Sequence, residues 1–184
     1  MKGYDPVIYF KENIAGKIKK LPMHIINSIV VQLKQLSIVI RQLSKEEYNM
    51  PSIVLSQATI GQHTRHSLEH FLQLVNSYDT GKVNYETRPR DKEMEAENLV
   101  AISVIRNIES QLYKPDKKMM VETEDQTYIS SSYHRELLFN LSHLVHHMAL
   151  IRIGVSATKS VEFPEGFGFS SSTINYRRKT LGYE

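Results

Sequence analysis

The chain has 184 residues, 41% of them hydrophobic and 23% charged, with a formal charge of +3 and no cysteine. That length and apolar share suit one domain, residues 1–184, with a sizeable core. The missing cysteine excludes disulfides, thiolate metal sites and cysteine nucleophiles, and the small scattered positive excess makes nucleic acid an unfavoured partner. The N-terminus lacks a signal-peptide core and no stretch approaches the ~20 apolar residues of a membrane span, so a soluble, cytoplasmic protein is expected.

Residues 1–22, with Gly3, Pro6, Gly16 and Pro22, read as an irregular N-terminal arm that carries at most one short helix. From Met23 to Leu43, the apolar positions Ile26, Ile29, Leu33, Leu36, Ile40 and Leu43 recur at alternating spacings of three and four. Such a seam belongs to a helix packed against other helices, and Pro51 closes the unit. A second helix is expected to begin near Ser56 or Thr59 and to run to Tyr78. Thr59 and Gln62 have the form of a capping box, and Gly81 can take the positive φ of a helix exit.

Residues 82–91 read as a polar connection. Asp91 is a good N-cap for a third helix that runs to about Tyr113 and stops at Pro115. Residues 116–130 are unlike their neighbours: Met119–Val121 and Thr127–Ile129 flank an acidic turn, the pattern of a short hairpin. A fourth helix, Tyr133–Gly154, follows, with Ser130–Ser132 as candidate N-caps and Gly154 as its stop. The remaining chain, 155–184, reads as an irregular tail docked by Phe163, Phe167, Phe169 and Tyr176. The expected architecture is all-α: a four-helix bundle of up-down-down-up type with an N-terminal arm, a short hairpin before the last helix and a docked C-terminal tail.

The fourth helix carries the chemistry. It is apolar on most of its circumference, yet Glu136, Asn140, His143 and His147 fall within about 60° of one another at 100° per residue. Burying imidazoles among leucines costs free energy unless their nitrogens are satisfied. His143 and His147, spaced i, i+4, can reach one metal ion, and a third ligand is expected from a neighbouring helix. The second helix offers His63, His66 and His70 on one side. His146 points about 60° away from His143, as a supporting histidine would, while His24 and His134 suit the surface. Glu136 and Asn140 either line the cavity or form a buried hydrogen-bonded pair. No Glu-x-x-His pair of the di-iron bundles occurs, nor a Walker loop, a dinucleotide-binding glycine pattern, His-Glu-x-x-His or Gly-x-Ser-x-Gly.

The segment Ser142-His143-Leu144-Val145-His146-His147 resembles the fourth-helix motif of the DinB-like (DinB/YfiT-like) superfamily, commonly Asn-His-x-x-His-His. The segment Thr59–Leu68 is similar to that superfamily's second-helix histidine motif. VNYETRPRD (83–91) and FGFSSSTINYRRK (167–179) are similar to a bacterial subgroup. The resemblance covers most of residues 24–179 and departs from the motif at Ser142, usually asparagine, and at Met148-Ala149, often arginine-glycine. It implies a four-helix bundle in which His63, His143 and His147 hold a divalent metal, nickel or zinc. It also implies homodimers and, in some members, chemistry that uses a low-molecular-weight thiol.

The expected function is therefore a divalent-metal-dependent enzyme acting on a small-molecule substrate, as an S-transferase or a hydrolase. The metal, with open coordination, would activate a water or thiol; no general base is named. The alternative is a non-catalytic, stress-responsive dimer in which a closed metal site stiffens the bundle. A weaker third reading is nucleic-acid binding through the basic tail.

Overall fold

The computed structural model describes the backbone of residues 6–156 and 161–181 and the side chains of residues 23–156 and 161–180. Helix α1 (Pro6–Arg41) is one continuous helix. The irregular arm expected over 1–22 is thus corrected from Pro6 onward, while residues 1–5 lie outside the described residues. The alternating seam is buried as its spacing requires: Ile29, Leu33, Leu36 and Ile40 are fully inaccessible, and Ile26 and Leu43 nearly so. Met23–Arg41 has the length and mean hydropathy, 1.4, of a membrane span, contrary to the sequence expectation. The buried seam, a third of that window, is packed against helices of the same chain, while Val31 and Ile38 on its outer side are about half exposed.

Short helix α2 (Lys45–Asn49) opens with a capping box from Ser44 and Glu47. After a 3₁₀ turn at Ile53–Leu55 comes α3 (Ile60–Asn76), whose N-terminus is fixed by the reciprocal hydrogen bonds of Thr59 and Gln62. Gly81, at φ +71°, lets the chain leave α3 and turn into strand β1 (Lys82–Asn84). Asp91 caps α4 (Lys92–Ala96), accepting from the backbone of Glu93 and Met94.

The expected third helix breaks at Glu97, whose backbone is extended, so that α5 (Asn98–Gln111) is a separate helix. Tertiary hydrogen bonds hold the break. Asn49 Nδ2 donates to the carbonyl of Ala96, and Asn98 Nδ2 donates to the carbonyls of Ile40 and Leu43 at the end of α1. Strands β2 (Lys118–Glu122) and β3 (Tyr128–Ser132) pair antiparallel across the acidic turn, and β1 adds to β2 in parallel. Val83 and Met119 pack from this sheet into the core.

The all-α four-helix bundle is therefore overturned: the described residues contain seven α-helices and a three-stranded mixed sheet in the order β1-β2-β3. The connection 82–91 looked merely polar because the partner for its backbone groups, the edge of β2, lies about 38 residues away in sequence. Helices α1, α3, α5 and α6 (Tyr133–Ser156) still enclose the core, with α3 against α6 and α5, and α1 against the same two.

Of two expectations for α6, one holds at Ser132 and one is corrected. Ser130–Ser132 belong to β3, which runs directly into the helix, and of the three Ser132 acts as its cap, its Oγ accepting from the backbone N–H of Arg135 at 3.4 Å. Gly154 lies inside the helix rather than ending it, and a Cβ there would come within 2.5 Å of Leu55 Cδ1. The glycine permits close packing, not a left-handed stop. In the C-terminal segment Phe167 is fully buried and Phe163 packs 5.4 Å from it, ring to ring. Gln35 of α1 and Gln42, just after it, donate to the carbonyls of Glu165 and Glu162. Residues 171–181 form α7 (Ser171–Leu181) rather than an irregular tail, and Tyr176 is exposed rather than docked.

Candidate metal centre

Five histidines converge where α3 crosses α6. On α3, His63, His66 and His70 follow helical spacings that keep them on one side of the helix. On α6, His143 and His147 stand one turn apart and face them. The apolar flanks of the same helices, Leu68, Phe71 and Leu74 on α3 and Leu137, Leu144 and Met148 on α6, fill the core and press the two polar stripes together. His70 and His147 are buried and the other three half-buried.

The imidazoles meet through their nitrogens. His63 Nδ1 lies 3.0 Å from His147 Nδ1, and His143 Nε2 lies 3.1 Å from His66 Nε2. The rings of His66, His143 and His147 form a near-equilateral triangle, with centroids 4.5–5.0 Å apart. His70 adds a fourth ring 4.2 Å from His143 and 4.9 Å from His66. One donor nitrogen each from His66, His70 and His143 lie within 4.8 Å of one another.

The structure thus brings the expected residues His63, His143 and His147 into a single cluster, joined through His147, whose ring is 5.2 Å from that of His63 and 4.5 Å from that of His143. His66 and His70, which the spacing marked only as members of the same face, stand at its centre. Their i, i+4 relation to each other was the available signal. His146 is exposed, with its ring 5.1 Å from that of His147. His134 sits apart, its Nε2 3.2 Å from the Lys114 carbonyl, and His24 is exposed on α1.

Burial holds these imidazoles neutral. It pushes the pKa of His66 and of His143 down to about 4, of His70 to about 3 and of His147 to about 2; His63 is lowered too, for the same cause. Positive charge reinforces burial, since Arg88, from the connection after β1, bears on His66, His70 and His143. Neutral imidazoles offer lone pairs. Buried His63 Nε2 and His70 Nδ1 have no hydrogen-bond partner, an arrangement that costs free energy unless something accepts or supplies charge there.

Nitrogen ligands at 2.0–2.1 Å from a tetrahedral ion stand about 3.4 Å apart, so the facing nitrogen pairs are close to the spacing that one ion requires. The donor set, all nitrogen and without thiolate, fits a borderline ion such as zinc or nickel.

Next to the histidines lies a second buried group. Tyr85 stacks on His70 with ring centroids 4.9 Å apart and planes 15° from parallel, and Phe139 lies 6.0 Å from His143 in a similar stack. Tyr85 Oη donates to Glu136 Oε2 at 2.9 Å and accepts from Asn140 Nδ2 at 3.2 Å. Glu136 and Asn140 are therefore a hydrogen-bonded pair through a tyrosine that no periodic signal in the sequence pointed to, because Tyr85 comes from a loop.

Comparison with family models, with curated proteins and with solved structures found no match.

Proposed function

We propose that the histidine cluster between α3 and α6 is the divalent-metal centre of an enzyme, with His66 and His143 as its central ligands. The single observation behind this reading is the pair of facing nitrogens, His143 Nε2 and His66 Nε2, 3.1 Å apart in a half-buried setting that keeps both imidazoles neutral. His70, with a donor nitrogen within 4.8 Å of those of His66 and His143, supplies the third, while His147 and His63, their Nδ1 atoms 3.0 Å apart, border the group. The sequence resemblance named His63 and His147 where the converging nitrogens are those of His66 and His70; the two assignments share His143 and are separable by experiment.

A bound divalent ion supplies Lewis acidity, lowering the pKa of a water or thiol in an open coordination position. The protein's own groups shape the surroundings. Tyr85 and Phe139 wall the cluster with aromatic faces, and Arg88 adds positive charge that favours an anionic nucleophile or substrate group. Hydrolysis and thiol transfer are the reaction classes that suit such a centre. With this reading go membership of the DinB-like superfamily, a cytoplasmic location and a homodimer.

Metal analysis of the purified full chain tests it. The wild type is expected to carry about one zinc or nickel per chain, His66→Ala and His143→Ala to lose it, and His63→Ala to retain most of it. Equal, substoichiometric metal in all four proteins would sink the centre. Retention by His66→Ala with loss by His63→Ala would move the ligand to His63.

A further inference from the structure

A cavity of about 300 Å³ opens beside the histidine cluster, between β3 and the first two turns of α6, with Tyr85, Ser131, Arg135, Glu136 and Phe139 in its lining. That is the lower end of the volume range of small-molecule sites. Its polar centre is the carboxylate of Glu136, only 1% exposed. Tyr85 Oη donates to Oε2, while Ser131 Oγ and Arg135 Nη1 donate to Oε1. One turn further on, Asn140 is fully buried and its Oδ1 has no hydrogen-bond partner. Around Glu136, Arg135, Ser130 and Ser131, the remaining walls are aromatic and aliphatic: Tyr85 and Phe139, with ring centroids 5.7 Å apart, then Val121 and Ile129.

A fixed carboxylate beside aromatic faces is the chemistry that recognises an organic cation, by a charge-assisted hydrogen bond together with cation–π attraction. The chain shows such a cation in place. The Arg135 guanidinium donates to Glu136 and lies 5.8 Å from the Phe139 ring centroid, yet its side chain is 64% exposed. An exposed arginine is held there weakly, as a surface ion pair is, and a ligand ammonium can displace it into solvent.

From the site just described, we infer that this cavity binds the ammonium end of a small aromatic or aliphatic amine, with Glu136 as its anchor and Arg135 as an internal occupant that the ligand displaces. Seven residues of α6 separate Glu136 from His143, about 10 Å along the helix. Tyr85 and Phe139, which wall the cavity, also stack on His70 and His143, so the two sites share these rings. The substrate class deepens the metal-centre reading and, as a substrate, rests on it; the amine site itself stands on the cavity.

Benzylammonium and benzoate, of similar size and opposite charge, are the probes, titrated into the full chain by calorimetry or by protein NMR. Benzylammonium is expected to bind at least tenfold more tightly than benzoate. Glu136→Gln should abolish that preference. Arg135→Ala, a change at an exposed side chain that leaves folding intact, should tighten benzylammonium binding several-fold by removing the competing guanidinium. Equal binding of the two probes, or weaker binding to Arg135→Ala, would overturn the inference. His66→Ala separates the two proposals: if it loses metal but keeps the benzylammonium preference, both hold. Loss of the preference in wild type with metal intact removes the amine site alone, and a wild type without metal that still prefers benzylammonium removes the metal centre alone.

Discussion

Helix α3 carries two buried polar clusters on opposite sides, and they solve the same problem in different ways. On one side, Arg65 lies 3.1 Å from Glu95 and 3.6 Å from Glu69, and Arg88 lies 4.0 Å from Glu69. Glu69, fully buried, also accepts the backbone N–H of Asp91 at 2.7 Å. Two cations and two anions close on themselves, and the cluster fastens α3 to the start of α4. On the other side stand five imidazoles with no carboxylate among them, kept neutral by burial, two of them with an orphaned nitrogen. The ionic cluster balances its charges by proximity, although Arg65 Nε, Arg88 Nε, Glu69 Oε2 and Glu95 Oε2 are buried without a hydrogen-bond partner. The histidine cluster has no such balance: it presents neutral lone pairs with no opposite charge among them, and on the reading proposed above an ion supplies it.

Mutations on either side sharpen that contrast. The largest effect is expected from His143→Ala, which should cut metal content from about one per chain to below a tenth while leaving the far-ultraviolet circular dichroism unchanged. An equally large loss of metal from Glu69→Gln in a folded protein would erase the distinction between the clusters. Glu69→Ala should instead destabilise the fold by about 3–5 kcal/mol, since it strands buried Arg65 and Arg88; urea titration measures this, and a change under 1 kcal/mol would mean that the network is solvated.

Acid separates the clusters further. The folded pKa values of His66, His70, His143 and His147 lie below the ordinary 6.5, at about 4, 3, 4 and 2. Below pH 6.5 the unfolded chain binds protons that the folded chain refuses, so the stability of the metal-free protein should be level above that pH and fall steadily from 6.5 toward 4. Replacing His70 and His147 by asparagine should flatten the fall, and a slope unchanged in that variant would assign it elsewhere. The smallest effect is expected at the entrance to α3. Thr59→Ala removes the side-chain acceptor for Gln62 N–H and should cost about 1 kcal/mol, with no change in metal content.

How far the sequence could be read depended on whether a feature was local. The seam of α1, the capping box at Thr59, the cap at Asp91 and the turn at Gly81 are each written within a few residues, and the chain folds there as its local chemistry dictates. The shared face of His63, His66 and His70 and the pairing of His143 with His147 are likewise consequences of 3.6 residues per turn. The errors came where the deciding partner was remote. Strand β1 exists because β2 offers it an edge, the third helix breaks because Asn49 and Asn98 reach across to neighbouring backbone, and the glycine at 154 serves close packing inside a helix because Leu55 leaves no room for a side chain.

The sequence by itself determined that imidazoles would line one stripe of each of two helices, since helical periodicity fixes what shares a face. Only the tertiary structure decided which imidazoles meet. The crossing of α3 on α6 sets their relative height, and a shift of one turn, about 5.4 Å, exchanges His63 for His66 or His66 for His70 opposite His143. It also brought Tyr85 from a loop onto Glu136 and His70, a contact made by packing across 51 residues of chain and so invisible to any local pattern.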